Sequence, residues 1–416
     1  MSDRPLRVLV VHNRYRSEQP SGENNVVDQE TALLAGAGHR VESFERRSDD
    51  IAAMSLFGKA TVPVRVPWNP AVRAELTALL RARRPDIVHI HNTFPLLSPS
   101  VLAACADAGV PAVATLHNYT MTCAPGTLYR DGRVCTDCVG GSPLPAVRNG
   151  CYRGSRLATV PLAIGMAANR ERWWSGVARF FCISDAQRQI LVHAGMPEQR
   201  LAVKHNFVTD PGAVRTGPGE HVLYLGRLTE EKGVRLLMTA WDAVRDRSAP
   251  RVPLVLAGTG PLEDEVRRWA DGRADVRYLG LRDKAECREL AARAMAMVAP
   301  STWLETFGLV VVEAMAAGVP TVAAAHGAFV ELVADGRTGL LHRPGDPVAL
   351  ANCLRRVLVD PAAARDMGTA ARLRYEEGFT PAVGLRRLIA GYESVLSEAP
   401  AETGGEAGGH GTQTVR

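Results

Sequence analysis

The chain has 416 residues, 46% of them hydrophobic, and a formal net charge of +5. That length exceeds what one hydrophobic core supports and sets two domains of similar size as the expectation. Arginine is spread along the chain without a basic block, which argues against nucleic acid as a partner, and no apolar run is long enough to span a bilayer, so a cytoplasmic protein is expected.

Residues 6–12, LRVLVVH, are too short and too polar at their end for a secretion signal and read as a first strand. Short β-branched runs at 8–11, 41–44, 87–91, 112–117, 180–184 and 202–206 alternate with longer helical patterns. That alternation is the signature of a parallel sheet with crossover helices and defines a first domain over residues 1–207. Pro20-Ser21-Gly22-Glu23 leads from the first strand into a helix over 25–34, and Gly22 offers close backbone approach to a phosphate or sugar. His89 and His91 end one strand and His117 another, at the carboxyl edge where open sheets bind ligands.

Within an insertion over 123–151 stand Cys123, Cys135, Cys138 and Cys151, with one CxxC step. Eight cysteines in a cytosolic chain argue for thiols or metal over a disulfide frame. Four thiolates at this spacing suit a structural zinc that orders a polar insertion lacking its own core; free thiols or a redox pair are the alternative. Asn118-Tyr119-Thr120 matches a glycosylation acceptor, which a cytosolic address makes irrelevant. Arg170, Arg172, Trp173 and Trp174 form a basic and aromatic cluster suited to peripheral contact at the inner face of a membrane.

A Pro- and Gly-rich break at 211–219 precedes strands at 221–226, 253–258, 276–280, 296–300 and 321–324, a second domain over residues 208–379. The fold class is therefore α/β: two doubly wound, Rossmann-like domains facing each other across a cleft. Arg227 and Lys232 flank the loop after the first of these strands, a pairing suited to a diphosphate and to its growing charge on departure. Gly258-Thr259-Gly260 follows the next strand without the third glycine of a dinucleotide fingerprint.

The segment 301–320, STWLETFGLVVVEAMAAGVP, places Glu305 in a loop and Glu313 one turn into a helix that starts near Leu309. The amides from Thr306 through Phe307 and Gly308 to Leu309 then stand free at the positive end of that helix, where a phosphate is favoured. The two carboxylates grip separate parts of one hydroxyl-rich ligand, and Glu313, set among apolar neighbours, is expected to be buried. A last helix over 380–397 returns to the first domain, and 398–416 is expected to be a disordered tail.

Taken together, GRLTEEKG, LAGTGPLEDEV and PSTWLETFGLVVVEAMAAGVPTVA resemble family 4 of the retaining glycosyltransferases, which have the GT-B fold, and the likeness spans nearly the whole chain. The resemblance implies transfer of a sugar, with retention and an α-type linkage, from a UDP- or GDP-sugar to a hydroxyl of a glycan, lipid-linked or small-molecule acceptor. Arg227 and Lys232 would bind the donor diphosphate with the amides at Phe307, Gly308 and Leu309, and Gly258, Gly260 and Thr306 belong to the same donor loops. Glu313 would accept hydrogen bonds from the ribose, Glu305 would contact the sugar, and His117 would sit beside the reacting centre. Gly22 would face the donor phosphate, with Ser21 standing where a first glycine is usual. Neither a protein nucleophile nor a catalytic metal is implied. Two other classes are an oxidoreductase, which the missing GxGxxG disfavours, and an inactive GT-B binding protein.

Overall fold

The computed structural model describes residues 4–17, 21–244 and 252–398. The expected tail lies outside these residues except for Glu398, which ends the last helix. In chain order the strands are β1 (Arg7–Arg14), β2 (Arg40–Arg47), β3 (Ile87–Ile90), β4 (Ala112–Leu116), β5 (Tyr129–Arg130), β6 (Arg133–Val134), β7 (Arg179–Cys182) and β8 (Leu201–Val203). They continue as β9 (His221–Leu225), β10 (Leu254–Ala257), β11 (Val276–Tyr278), β12 (Ala294–Ala299), β13 (Thr321–Ala324) and β14 (Gly339–His342).

Two six-stranded sheets form, ordered β2-β1-β3-β4-β7-β8 and β11-β10-β9-β12-β13-β14. Every pairing within them is parallel. Helices cover both faces, so central strands read as continuous apolar runs: β3, IVHI, and β12, AMAMVA, are buried at every residue. Strand order reverses between β1 and β3 and again between β9 and β12, which opens a crevice at the carboxyl ends of those strands. The loops after these four strands meet between the domains.

Leu388, Ile389, Tyr392 and Val395 of the last helix, Pro381–Glu398, pack with Val8, Val10, Leu34 and Ile87. Three expectations need correction. His91 and His117 lie just beyond their strands, which end at Ile90 and Leu116. The helix after β1 runs over Gly22–Gly36, with Ser21 Oγ accepting from Asn24 N at 3.2 Å, so Gly22 opens the helix and is not a loop residue. Residues 204–206 leave the strand early and turn Lys204 inward. Strand β14 and the β5–β6 hairpin, Tyr129 opposite Val134, complete the fold.

Candidate active site

On the second-domain side of the crevice, the turn after β9 carries Arg227 and Lys232. Gly233 sits at φ 74°, and a Cβ there would lie 2.0 Å from Pro300 O, so only glycine lets this turn rest on the end of β12. Gly258 and Gly260 act similarly: their missing side chains would strike Gly226 O at 1.9 Å and Leu228 O at 2.5 Å. Their role is to press one loop against the backbone that presents Arg227.

Lys232 Nζ donates to Glu305 Oε1 at 2.5 Å, and Ser301 Oγ donates to the same oxygen at 2.8 Å. Glu305 is buried. Burial alone would push its carboxyl up, but the Lys232 ammonium beside it overrides that and holds the pKa below the ordinary range. Arg227 is 57% exposed and its guanidinium reaches only Glu231, at 3.7 Å, among the described residues.

Gly308, at φ 92°, caps the helix Leu309–Ala316 without a side-chain acceptor. The N–H groups of Phe307, Gly308, Leu309 and Val310 find no acceptor among the described residues, and these orphan donors point an anion site at the crevice. Glu313 is exposed, not buried as expected, because it takes the one helical position whose neighbours Val312, Ala314 and Met315 turn inward. Its carboxyl opens into the crevice. Solvent reaches it although protein crowds it, and that crowding raises its pKa against the opposing pull of Arg288 and Lys284.

The first domain closes over this surface. Thr306 Oγ1 donates to His117 O at 3.1 Å, Lys284 Nζ to Asn25 Oδ1 at 3.0 Å, and Tyr129 OH stands 3.0 Å from Thr302 Oγ1. Gly22 faces Leu309: a Cβ on it would lie 3.3 Å from Leu309 Cδ1. Its smallness thus serves domain closure directly, and it brings the amide end of its own helix to the same crevice.

His117 Nε2 lies 2.9 Å from His91 Nδ1, and His91 Nε2 lies 3.9 Å from Glu30 Oε2. Glu30 is held in turn by a buried Lys204. A proton on His91 Nε2 faces the carboxylate best, which leaves His91 Nδ1 to accept from His117 and turns the His117 Nδ1 lone pair toward the crevice. Burial holds both rings well below the ordinary histidine pKa, with nearby Lys204 adding to it, so both are neutral at pH 7. Glu30, His89 and His91 come within 4.8 Å of one another, but His89 is spent on Tyr392 and Thr115 and Lys204 already supplies the cation.

The sequence did not single out Tyr15 or Glu23. Tyr15 OH donates to Glu23 Oε2 at 3.1 Å, and burial pushes the Glu23 carboxyl up to about 8. Of the basic and aromatic cluster, Trp173 belongs to the core, Arg172 lies over the Trp68 ring at 4.6 Å, and Arg170 lies over Trp174 at 5.3 Å. Trp173 and Trp174 line a cavity beside His117, while Arg172 is exposed. No described helix is long and apolar enough to cross a membrane.

Hydrogen bonds draw the cysteine segments together: Cys135 N donates to Leu128 O at 2.8 Å, Cys151 N to Ala146 O at 3.0 Å, and Thr122 Oγ1 to Cys138 O at 3.5 Å. All four thiols are free, and no three of the sulfurs come within 4.8 Å of one another.

Two facing Rossmann-like domains with cations and unpaired amides at their crevice define a glycosyltransferase of the GT-B fold. Residues 20–210 match the model of Glycosyltransferase Family 4 and residues 214–374 that of Glycosyl transferases group 1. The chain belongs to this family: it is 43% identical over 412 residues to a glycogen synthase of Mycobacterium tuberculosis, an alignment covering 90% of this chain and 91% of that one. A phosphatidyl-myo-inositol mannosyltransferase of Mycobacterium leprae is 26% identical over 364 residues, covering 83% and 85% of the two chains. Among solved structures, Anabaena Alr3699/HepE in complex with UDP superposes with a TM-score of 0.65 at 20% identity, covering 94% of this chain and 100% of that one. Membership sets the oxidoreductase alternative aside.

Proposed function

We propose that this glycosyltransferase takes a nucleoside-diphosphate sugar as donor and transfers the sugar with retention, forming an α-type linkage. What supports this is the set of an exposed Arg227 guanidinium, a Lys232 ammonium held by Glu305, and the N–H groups of Phe307 to Val310 that find no acceptor among the described residues, on the loops after β9 and β12. Such an array neutralises a diphosphate and its departing charge without a metal. Glu313 would accept hydrogen bonds from the ribose hydroxyls and Glu305 would contact the sugar. No protein nucleophile is assigned, and a double displacement is not invoked. Departure and attack then share one face: the leaving phosphate oxygen takes the acceptor proton, and the neutral His117 accepts a hydrogen bond from a hydroxyl beside the reacting carbon.

UDP-glucose is the first donor to test, since HepE was solved with UDP and UDP-glucose. A panel of UDP- and GDP-sugars should show slow hydrolysis of one donor by the wild type, and Lys232→Ala should reduce it by about a hundredfold or more. The matching nucleotide should raise the melting temperature, by mass action. Absence of both hydrolysis and stabilisation across the panel would refute the donor assignment.

The four-thiol set Cys123, Cys135, Cys138 and Cys151 is proposed to hold a structural zinc. Thiolates in this number are the donors zinc prefers, and the Cys138 thiol is close enough to feel Cys123, Cys135 and Cys151. Metal analysis of the purified protein should give one zinc per chain, and Cys138→Ser should lose it and expose the insertion to protease. A metal-free wild type that resists protease equally well contradicts this.

A further inference from the structure

Beside His117 the first domain holds a cavity of about 470 Å³, of a size that suits a small molecule. Its walls are aromatic and aliphatic: Phe94, Tyr152, Leu162, Met166, Trp173 and Trp174. Three guanidinium side chains, Arg16, Arg153 and Arg170, also line it, and no Asp or Glu does among the described residues. None of the three forms an ion pair with a described residue. Arg153 lies over the Tyr152 ring at 5.2 Å, and Arg170 is held by Trp174 and Gly141 O.

Arg16 and Arg153 are exposed and Arg170 is half-buried, and an occupant that fills the hollow takes water from these guanidinium groups, which favours one that carries a compensating charge. Polar groups gather at the His117 end, where Asn92, Asn118 and Thr120 line the wall. That end suits the hydroxyl that receives the sugar, and the Trp173 end suits an apolar body. Apolar surface continues outward along the same helix, Arg156–Gly176, where Leu157 is 86% and Ile164 51% exposed.

We propose that this cavity is the acceptor site and that the acceptor is an anionic amphiphile: a hydroxyl-bearing molecule with a phosphate or carboxylate group and an apolar body. The assignment rests on the transferase reading but makes a different demand from it. A neutral glucan, such as the name glycogen synthase would suggest, supplies neither the charge nor the apolar body. The relatives named phosphatidyl-myo-inositol mannosyltransferase and D-inositol 3-phosphate glycosyltransferase carry phosphate-bearing molecules in their names.

Trp173 and Trp174 report occupancy by their fluorescence, with no donor and no turnover required. The full chain is titrated with octyl phosphate, octyl glucoside, glucose 1-phosphate and maltoheptaose, all below micelle-forming concentrations. Octyl phosphate should bind at least about tenfold more tightly than each of the others. Arg153→Ala should weaken octyl phosphate by roughly three- to tenfold while leaving octyl glucoside unchanged, and Trp174→Phe should diminish the signal. Co-sedimentation with phosphatidylglycerol vesicles, lost in Arg153→Ala, assigns a lipid-borne acceptor; octyl phosphate binding without it assigns a free one, and both uphold the proposal. Equal binding of octyl glucoside or of maltoheptaose overturns it, as does an Arg153→Ala variant with unchanged octyl phosphate affinity. UDP stabilisation is measured separately, so failure here leaves the donor reading standing and failure there leaves this one.

Discussion

Lys232 and Glu305 neutralise each other across 2.5 Å, so a diphosphate entering the crevice competes with a buried carboxylate for the ammonium. The pair keeps the cation placed and costs affinity until the donor arrives. Glu305→Gln should therefore tighten UDP by about three- to tenfold, while removal of the carboxylate proposed to meet the sugar should lower turnover by about a hundredfold or more. Calorimetry with UDP and donor hydrolysis measure the two; loss of both together would mean that Glu305 only supports the loop. Glu23 offers a second test, of pH dependence. Its pKa, raised from 4.5 to about 8 by burial, means the folded form keeps a proton that the unfolded chain releases. The stability it contributes is full below about pH 4.5 and is lost as pH rises through about 8. Glu23→Gln should flatten that decline, so its melting temperature gains a few degrees on the wild type between about pH 5 and pH 9. A constant difference across that range would contradict the raised pKa. The residues proposed for the donor stood out because they fall in two short segments, 226–233 and 305–313, each with distinct spacing. Glu30 and Lys204 did not: they meet His91 only when helix Gly22–Gly36 docks beside β3 and β8, and nothing local marks a helical Glu as buried.

Elements with β-branched cores declared themselves, and their ends did not. Residues 112–117 and 202–206 read as strands because polar residues can continue an extended run in sequence, but the chain turns at Leu116 and Val203 once the next parallel neighbour ends. Strand β14, GLLH, was too short to stand out between a turn and a Pro-rich loop. The glycines behave differently, since their purpose appears only against a neighbour. Gly233 accommodates Pro300 O and Gly308 the Phe329 ring, whose Cε1 would lie 2.4 Å from a Cβ. Gly233→Ala combines a left-handed backbone with a clash on carbonyl oxygen, at about 2–4 kcal/mol, or roughly 5–15 °C in melting temperature. Displacing the turn from Pro300 also moves Lys232 away from Glu305, so the KM for donor should rise in the fraction that folds. Thermal melts and donor kinetics check this, and a near-neutral Gly233→Ala would show that the turn can relax.

Closure of the whole molecule depends on a few polar contacts that bridge the domains away from the last helix. Glu331, on the short helix Phe329–Leu332, accepts from Asp185 N at 2.9 Å and Ala186 N at 3.4 Å, and lies 3.3 Å from His205 Nε2. Asp185 begins the helix Asp185–His193, so a carboxylate of one domain caps a helix of the other, where its charge meets unpaired N–H groups. The tilted rings of His205, Phe307 and Phe379, with centroids 5.4 to 6.2 Å apart, join this bridge to the loop that carries the Phe307 amide. Glu331→Ala removes about 1–3 kcal/mol from the closed arrangement without touching either domain core or any group in reach of the donor. Small-angle scattering should then show a larger radius of gyration in the free protein, a smaller change when UDP is added at saturation, and a KM for donor raised several-fold with kcat little altered. A variant with wild-type scattering and KM would place the energy of closure in the ring cluster and the returning helix instead.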